Sequence, residues 1–282
     1  MLERLKENML IVDPKKVHLF TNQVEFCGQI VKEGKREPAP GKLLALQKWE
    51  LPRTVTQLRG FLGLANYYSS YVPQYAKYTG PLKGKLHFNR EDGKKGSTKP
   101  IVWSPEDIKA FEGLKQVLAQ QLELFRVNPD QPFVMKCDAS DKAIGAVLEQ
   151  ERELESGNRA LVPVAFFSRK LAKSQMNCTP REKKTYAIVS ALRKWASWIG
   201  LQPVVIKTDH KSLQEWATEK IDTPSGPAGR RARWHETLSK FELSVEYLPG
   251  PENIVADALS RWAYPACKGF QDTSFHGSAE AQ

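Results

Sequence analysis

Cysteine is scarce in this 282-residue sequence: Cys27, Cys137, Cys178 and Cys267, with no two at CxxC spacing. That excludes a disulfide framework and a paired-cysteine zinc site, and it fits a reduced, intracellular protein, cytoplasmic or nuclear. Long apolar runs are missing as well. No uncharged apolar stretch approaches the ~18 residues needed to span a bilayer as a helix, so an integral membrane protein is excluded. The opening Met1-Leu2-Glu3-Arg4-Leu5-Lys6-Glu7 mixes charge with apolar residues at helical spacing and has no leader-like apolar core. No internal repeat is visible.

Apolar material is plentiful. Hydrophobic residues make up 41% of the chain, including 12 Phe, 8 Tyr and 7 Trp, which excludes a wholly disordered chain. The length suits one large or two smaller domains. Charge is unevenly spread. Of the net +10, residues 1–128 carry +8 (21 basic, 13 acidic) and residues 129–262 carry +3 (20 basic, 17 acidic). The first half therefore suits an anionic partner, with a solvated basic surface as the plainer explanation.

Residues 1–9 have the pattern of a helix end, and Val17–Phe20 with Val24–Val31 flank Thr21-Asn22-Gln23 as a predicted β-hairpin. Pro38-Ala39-Pro40-Gly41 breaks the chain before a short helix through Lys42–Lys48. Thr54 and Gln57 form a capping box for a helix that buries Leu58, Phe61, Leu62 and Ala65, at i, i+3, i+4 and i+7. Asn89–Lys99 is a polar loop. Ser104-Pro105 opens a helix to about Leu122 that buries Phe111, Leu114 and Leu118. Asn128-Pro129-Asp130 marks a boundary. Beyond it, strands are predicted at Phe133–Cys137, Ala143–Leu148, Leu161–Ser168, Val204–Thr208 and Leu243–Tyr247. Helices are predicted from Thr179, burying Ile188, Ala191, Leu192 and Trp195, near Lys211, over Arg231–Lys240 and over Glu252–Arg261. The order β-β-β-α-β-α-α-β-α gives an α/β (α+β) class, a mixed five-stranded sheet flanked by helices.

Three aspartates sit at element ends. Asp138 closes the first strand of that sheet, Asp209 follows the fourth, and Asp257 lies in the last helix. Any one alone is a common turn residue. Together they are the means by which a rigid sheet can hold two Mg²⁺ ions against a phosphodiester.

Four words carry a family resemblance: Leu58-Arg59-Gly60-Phe61-Leu62-Gly63-Leu64-Ala65-Asn66-Tyr67-Tyr68, Cys137-Asp138-Ala139-Ser140, Thr208-Asp209-His210, and Ala256-Asp257-Ala258-Leu259-Ser260-Arg261. In this order they resemble the C-terminal part of the reverse transcriptase of gypsy-type LTR retrotransposon Pol polyproteins, over roughly residues 1–262. The resemblance implies a palm remnant and primer-grip hairpin at 1–36, a thumb and connection at 37–128, an RNase H-like domain at 129–262 and a tail at 263–282. It also implies Mg²⁺, or Mn²⁺ in its place, held by Asp138, Asp209 and Asp257, and cleavage of the RNA strand of RNA–DNA hybrids.

Two departures from the pattern matter. The paired-aspartate polymerase motif is absent from 1–36, so polymerisation is not expected. The family's catalytic Glu falls three residues before Ala187, and that position is Lys184. Glu182 points about 200° away on the helix and is accounted for as the N3 partner of Thr179. Lys184 has two placements open to it: paired with Asp138 or Asp209 in the place of a cation, or bent outward into solvent. Both weaken metal binding.

Arg230, Arg231 and Arg233 open a helix and suit phosphate oxygens. Tyr67, Tyr68, Tyr71, Tyr75 and Tyr78 serve thumb packing or stacking on nucleic acid. His210 is a proton-transfer group or a helix cap. Three readings follow: a hybrid-binding fragment with impaired nuclease, a competent ribonuclease H that tolerates Lys184, and a non-catalytic fragment that binds a protein. The remainder of a Pol polyprotein is a further expected partner; a membrane is not.

Overall fold

The computed structural model describes residues 2–11, 13, 17–18, 20–86, 100–120, 122–154, 157–210, 213, 230–249 and 253. After a short helix α1 (Leu2–Glu7), strands β1 (Gln23–Phe26), β2 (Gln29–Lys32), β3 (Lys35–Pro38) and β4 (Leu124–Phe125) form an antiparallel sheet in that order. The hairpin therefore does not turn at Thr21-Asn22-Gln23, as its sequence suggested. It turns on Cys27-Gly28, with Phe26 opposite Gln29. A two-residue turn that matches strand twist needs positive φ at both centres, and Cys27 (51°) and Gly28 (73°) supply it. A Cβ at Gly28 would also come within 2.8 Å of the Lys42 ammonium nitrogen.

A helical layer follows: α2 (Pro40–Gln47), α3 (Val55–Tyr67), α4 (Tyr75–Gly84) and α5 (Pro105–Ala119). Reciprocal capping boxes start α3 at Thr54/Gln57 and α5 at Ser104/Asp107, so the first orphan amides of each helix are satisfied locally. The predicted apolar faces pack together: Leu58, Phe61 and Ala65 of α3 meet Phe111, Leu114 and Leu118 of α5, all fully buried. Each of the Leu and Phe side chains contributes about 1.5–3 kcal/mol by leaving water.

The second sheet is the one that positions the candidate site. Strands β5 (Phe133–Ala139), β6 (Ala143–Glu153), β7 (Arg159–Lys170), β8 (Val204–Thr208) and β9 (Leu243–Tyr247) are ordered β7-β6-β5-β8-β9. β5–β6 and β6–β7 pair antiparallel, while β5–β8 and β8–β9 pair parallel. The short α6 (Lys173–Met176) leads into α7 (Pro180–Ile199), which lies on β5 and β6 and buries Ile188, Ala191, Leu192 and Trp195. α8 (Arg230–Leu238) packs beside α7 through Trp234 and Leu238. The mixed sheet and flanking helices are those expected from the sequence order. The loop Asn89–Lys99, most of the short helix near Lys211 and the last helix Glu252–Arg261 lie outside the described residues. No helix among those described is long and apolar enough to cross a membrane.

The helical layer and the first sheet are both tied to the second sheet. The Phe166 amide donates to the Ser70 carbonyl (2.9 Å), and the Ala76 amide at the start of α4 donates to Ser168 Oγ (2.8 Å). Phe166 and Val147 of the second sheet belong to the core of the helical layer. Arg36 of β3 reaches across to give a hydrogen bond to the Val164 carbonyl (2.7 Å), its guanidinium lying between the rings of Tyr71 and Trp198 at 5.0 and 4.8 Å.

Candidate active site

Register alone brings Asp138 and Asp209 side by side. Lys136 of β5 and Lys207 of β8 are parallel partners, and each aspartate lies two residues further along its strand. Parallel strands ~4.8 Å apart carry the two carboxylates past the same sheet end. Asp138 is buried and Asp209 is partly exposed.

The third element is the first turn of α7. Thr179 caps it, its Oγ accepting from the Glu182 amide (3.3 Å), while the Glu182 carboxylate accepts from the Thr179 amide (3.0 Å) and hydroxyl (3.2 Å). Glu182 is thus engaged as the N3 side of a capping box. Two residues on, Lys184 turns inward. Its ammonium makes a close ion pair with Asp209 Oδ1 and lies 3.4 Å from Asp138 Oδ1, with only 14% of the side chain exposed. Of the two placements open to this side chain, the structure has the inward one.

Three neighbours complete the surroundings. Lys183 is buried and binds Asp141 Oδ1 at 2.8 Å; that hydrogen bond and the lysine's charge hold the Asp141 carboxyl below the usual range. Cys137 is buried beneath Asp138, and burial, reinforced by that carboxylate, pushes its thiol far up. Burial and the neighbouring carboxylate both favour the neutral thiol over the thiolate. Asn253, also buried, donates to the Cys137 carbonyl at 3.2 Å and so anchors the segment after β9 beside Asp138. Its Oδ1 has no hydrogen-bond partner among the described residues.

Sequence reasoning named Asp138 and Asp209 and left Lys184 two placements; the structure brings the Lys184 ammonium to both carboxylates. Sequence reasoning did not find the Lys183–Asp141 pair or the Asn253 anchor. Both are contacts made across the chain, and no local spacing announces them. Asp257 lies outside the described residues, as do the side chains of Arg230, Arg231 and Arg233, whose backbone opens α8. Of the tyrosines, Tyr68, Tyr71 and Tyr75 are buried in the helical core, Tyr78 is partly buried against it and Tyr67 is exposed, so packing accounts for four of the five.

A divalent metal fits the described residues poorly. Among them, no three His, Cys, Asp or Glu side chains form a group able to hold a metal. The point between Asp138 and Asp209 where a cation would be drawn is filled by an ammonium. An ammonium donates three hydrogen bonds and has no lone pair to ligate with.

Comparison with known proteins bears on the family and the fold. Residues 128–241 match the family described as the RNase H-like domain found in reverse transcriptase; such domains generally use a divalent metal. The chain is 31% identical over 263 residues to the Transposon Tf2-3 and Tf2-4 polyproteins of Schizosaccharomyces pombe, covering 92% of this chain and 18% of each polyprotein. It thus spans less than a fifth of these relatives. Among solved structures, a foamy viral protease-reverse transcriptase in complex with RNA/DNA hybrid superposes with a TM-score of 0.69 at 23% identity, over 89% of this chain and 33% of that one. A second, the same enzyme's dRH form in complex with double-stranded DNA, gives 0.68 at 22% identity, over 88% and 42%. At these identities the likeness is one of fold.

Proposed function

We propose, from the match of residues 128–241 to the RNase H-like domain found in reverse transcriptase, that the chain is a retrotransposon-derived fragment that binds RNA–DNA hybrid, with a ribonuclease H centre impaired by Lys184. Asp138, Asp209 and Asp257 are the residues assigned to that centre, and Arg230, Arg231 and Arg233 to the nucleic acid. Mg²⁺, or Mn²⁺, is its metal, bound weakly. The remainder of a Pol polyprotein is the fitting protein partner, since the relatives are polyproteins and the matched stretch is 18% of each. Polymerisation is not expected of this chain.

One observation carries the reading: the Lys184 ammonium sits between Asp138 and Asp209. A lysine at a ligand position removes an attraction for a divalent cation and adds a repulsion. At ~4 Å and an effective dielectric of ~20, one unit-charge interaction is about 4 kcal/mol. Loss of only ~3 kcal/mol of transition-state stabilisation slows a reaction more than a hundredfold. A second reading, a ribonuclease H that works despite Lys184, draws support from the preserved side-by-side placement of Asp138 and Asp209.

A labelled hybrid, incubated with and without Mg²⁺, tests both. The proposal expects tight binding with negligible cleavage by the native chain, and at least hundredfold faster Mg²⁺-dependent cleavage by Lys184→Glu. Mg²⁺ should raise the melting temperature of Lys184→Glu but not of the native chain. Brisk cleavage by the native chain, unchanged in Lys184→Glu, would overturn the proposal in favour of the second reading.

A further inference from the structure

The sequence has a boundary at Asn128-Pro129-Asp130, between the helical layer and the second sheet. A boundary of that kind is ordinarily a flexible joint crossed by few contacts. In this chain three sets of contacts immobilise it. The first lies in the joint itself. Gln150 of β6 is fully buried, and its side-chain amide accepts from the Asn128 amide (2.9 Å) while donating to the carbonyls of Asn128 (2.8 Å) and Gln131 (3.0 Å). Arg152 adds a hydrogen bond to the Arg126 carbonyl (2.7 Å). The chain is thus fastened to β6 on both sides of the boundary.

The second set covers the outer edge of the second sheet. β7 is its outermost strand, and an uncovered edge of 12 residues is a template for pairing with other chains. Residues 164, 166 and 168 of β7 are each engaged by a different part of the first half. The register shift between Leu148 and Glu149 leaves Val164 without a partner on β6, and its carbonyl accepts from Arg36. The Phe166 amide donates to the Ser70 carbonyl. Ser168 Oγ accepts from the amide of Ala76, the second residue of α4, whose own N-cap residue, Gln74, supplies no side-chain cap. α4 is therefore capped from the other sheet.

The third set is apolar. Eight consecutive residues of β6, 143–150, are buried, which requires cover on both faces of the strand. Ile144, Ala146 and Leu148 lie in the core beneath α7, whereas Val147 and its register partner Phe166 lie in the core of the helical layer.

We propose that the two halves form one cooperative folding unit with no working hinge between them: the helical layer is the obligate cover of β6 and β7, and β7 in return caps α4. The folding unit is then larger than the stretch 128–241 that matches the RNase H-like domain. This inference concerns the body that carries the carboxylate centre and stands independently of what that centre binds or cleaves.

Hydrogen exchange of the full chain, resolved by segment and followed through sub-denaturing urea, tests it. The slowest amides exchange only when their cooperative unit opens as a whole. In the native chain the slowest amides of α3, α5, β5 and α7 should share one opening equilibrium and one dependence on urea. Leu114→Ala touches only the helical core, and Leu192→Ala only the core beneath α7. A buried Leu→Ala change shifts the opening equilibrium of its unit by at least ~30-fold. Either variant should speed the slowest amides of both halves by the same factor. Ser168→Ala is milder and keeps the test readable if the core variants fold poorly. Loss of the α4 cap should speed the slowest amides of α5 and α7 alike, by about fivefold. Faster exchange of α3 and α5 in Leu114→Ala with α7 unchanged would overturn the proposal and restore a hinge. Faster exchange confined to the first turn of α4 in Ser168→Ala would do the same, as would separate urea transitions for α3 and α7 in the native chain.

Discussion

Two cations among the described residues, Arg36 and Lys184, are drawn out of solvent and held in different ways. In the N-terminal sheet, Arg36 is 8% exposed, and the interactions that hold it are a backbone carbonyl, Val164, and two aromatic faces, Tyr71 and Trp198. Burial lowers its pKa, and the Nε has no hydrogen-bond partner. In the second sheet, Lys184 is set between two carboxylates. The guanidinium is weakly hydrated and planar, so π faces and one carbonyl suffice to hold it. The ammonium is a compact charge that must be met by anions. Arg36 is therefore a fastener whose anchor is packing. Lys184 is one member of an electrostatic cluster whose other members exist whether or not the lysine does. Removing each should have different consequences.

Lys184→Met gives the largest effect. It leaves Asp138 and Asp209 facing each other without a cation, and breaking a buried ion pair on one side costs about 3–5 kcal/mol; because Asp209 is 27% exposed, the lower end, about 3 kcal/mol, is expected. Millimolar Mg²⁺ should restore much of this, since a divalent ion can take the vacated place. Arg36→Met comes next, at about 2 kcal/mol, chiefly from the Val164 carbonyl left without its charged donor. Here Mg²⁺ should do nothing. Urea unfolding of both variants with and without Mg²⁺ reads out the contrast. Rescue of both, or of neither, would mean that the two cations play the same part.

A smaller effect concerns the helix that delivers Lys184. Thr179→Ala removes the cap of α7 and should cost about 1 kcal/mol. Glu182→Gln retains an acceptor for the Thr179 amide and should change stability by only a few tenths of a kcal/mol. Neither should alter hybrid cleavage. If Glu182→Gln abolished a Mg²⁺-dependent activity, the acidic ligand would be Glu182 and the comparison between the two buried cations would lose its second half.

The same contrast explains what could be read from sequence. The Lys184 site was legible in part because its parts are local: a capping box fixes the start of α7 and two strand ends fix the aspartates, while the inward turn of Lys184 was one of two placements the sequence left open. The apolar faces of α3, α5 and α7 were legible for the same reason. The Arg36 site was not. β3 ends in Pro38 and has only four residues, so it reads as the edge of a loop, and it becomes a strand through pairing with β2 and with Leu124-Phe125 almost ninety residues on. α4 hid behind Gly80-Pro81, a breaker signal that the packed Tyr75, Ala76, Thr79 and Leu82 override. The hairpin was misplaced because alternation of apolar residues locates strands but does not choose the turn, which the positive φ of Cys27 and Gly28 decides. Asp257 and the arginine side chains of α8 lie outside the described residues, so their place in the site rests on the sequence resemblance.

The smallest effects distinguish two buried carboxylates, one in each half, by sign. Asp107 in the helical layer is pushed up by burial, but hydrogen bonds from Lys85 and Ser104 outweigh this, and its pKa ends below the ordinary 3.8. Such a group stabilises the fold above its unfolded pKa and ceases to do so as pH falls through the lower folded value. Glu149 in the second sheet has burial as its largest influence, and Lys136 at 2.8 Å offsets only part of it, so its pKa ends above the ordinary 4.5. Its contribution is complete below that unfolded value and is lost as pH rises through the folded one. The stability difference between the native chain and Asp107→Asn should therefore grow as pH climbs through the acid range. The difference between the native chain and Glu149→Gln should shrink as pH climbs past about 4.5. Urea midpoints at half-unit pH steps would show the two slopes, and slopes of the same sign would mean that Lys136 compensates Glu149 as fully as Lys85 and Ser104 compensate Asp107.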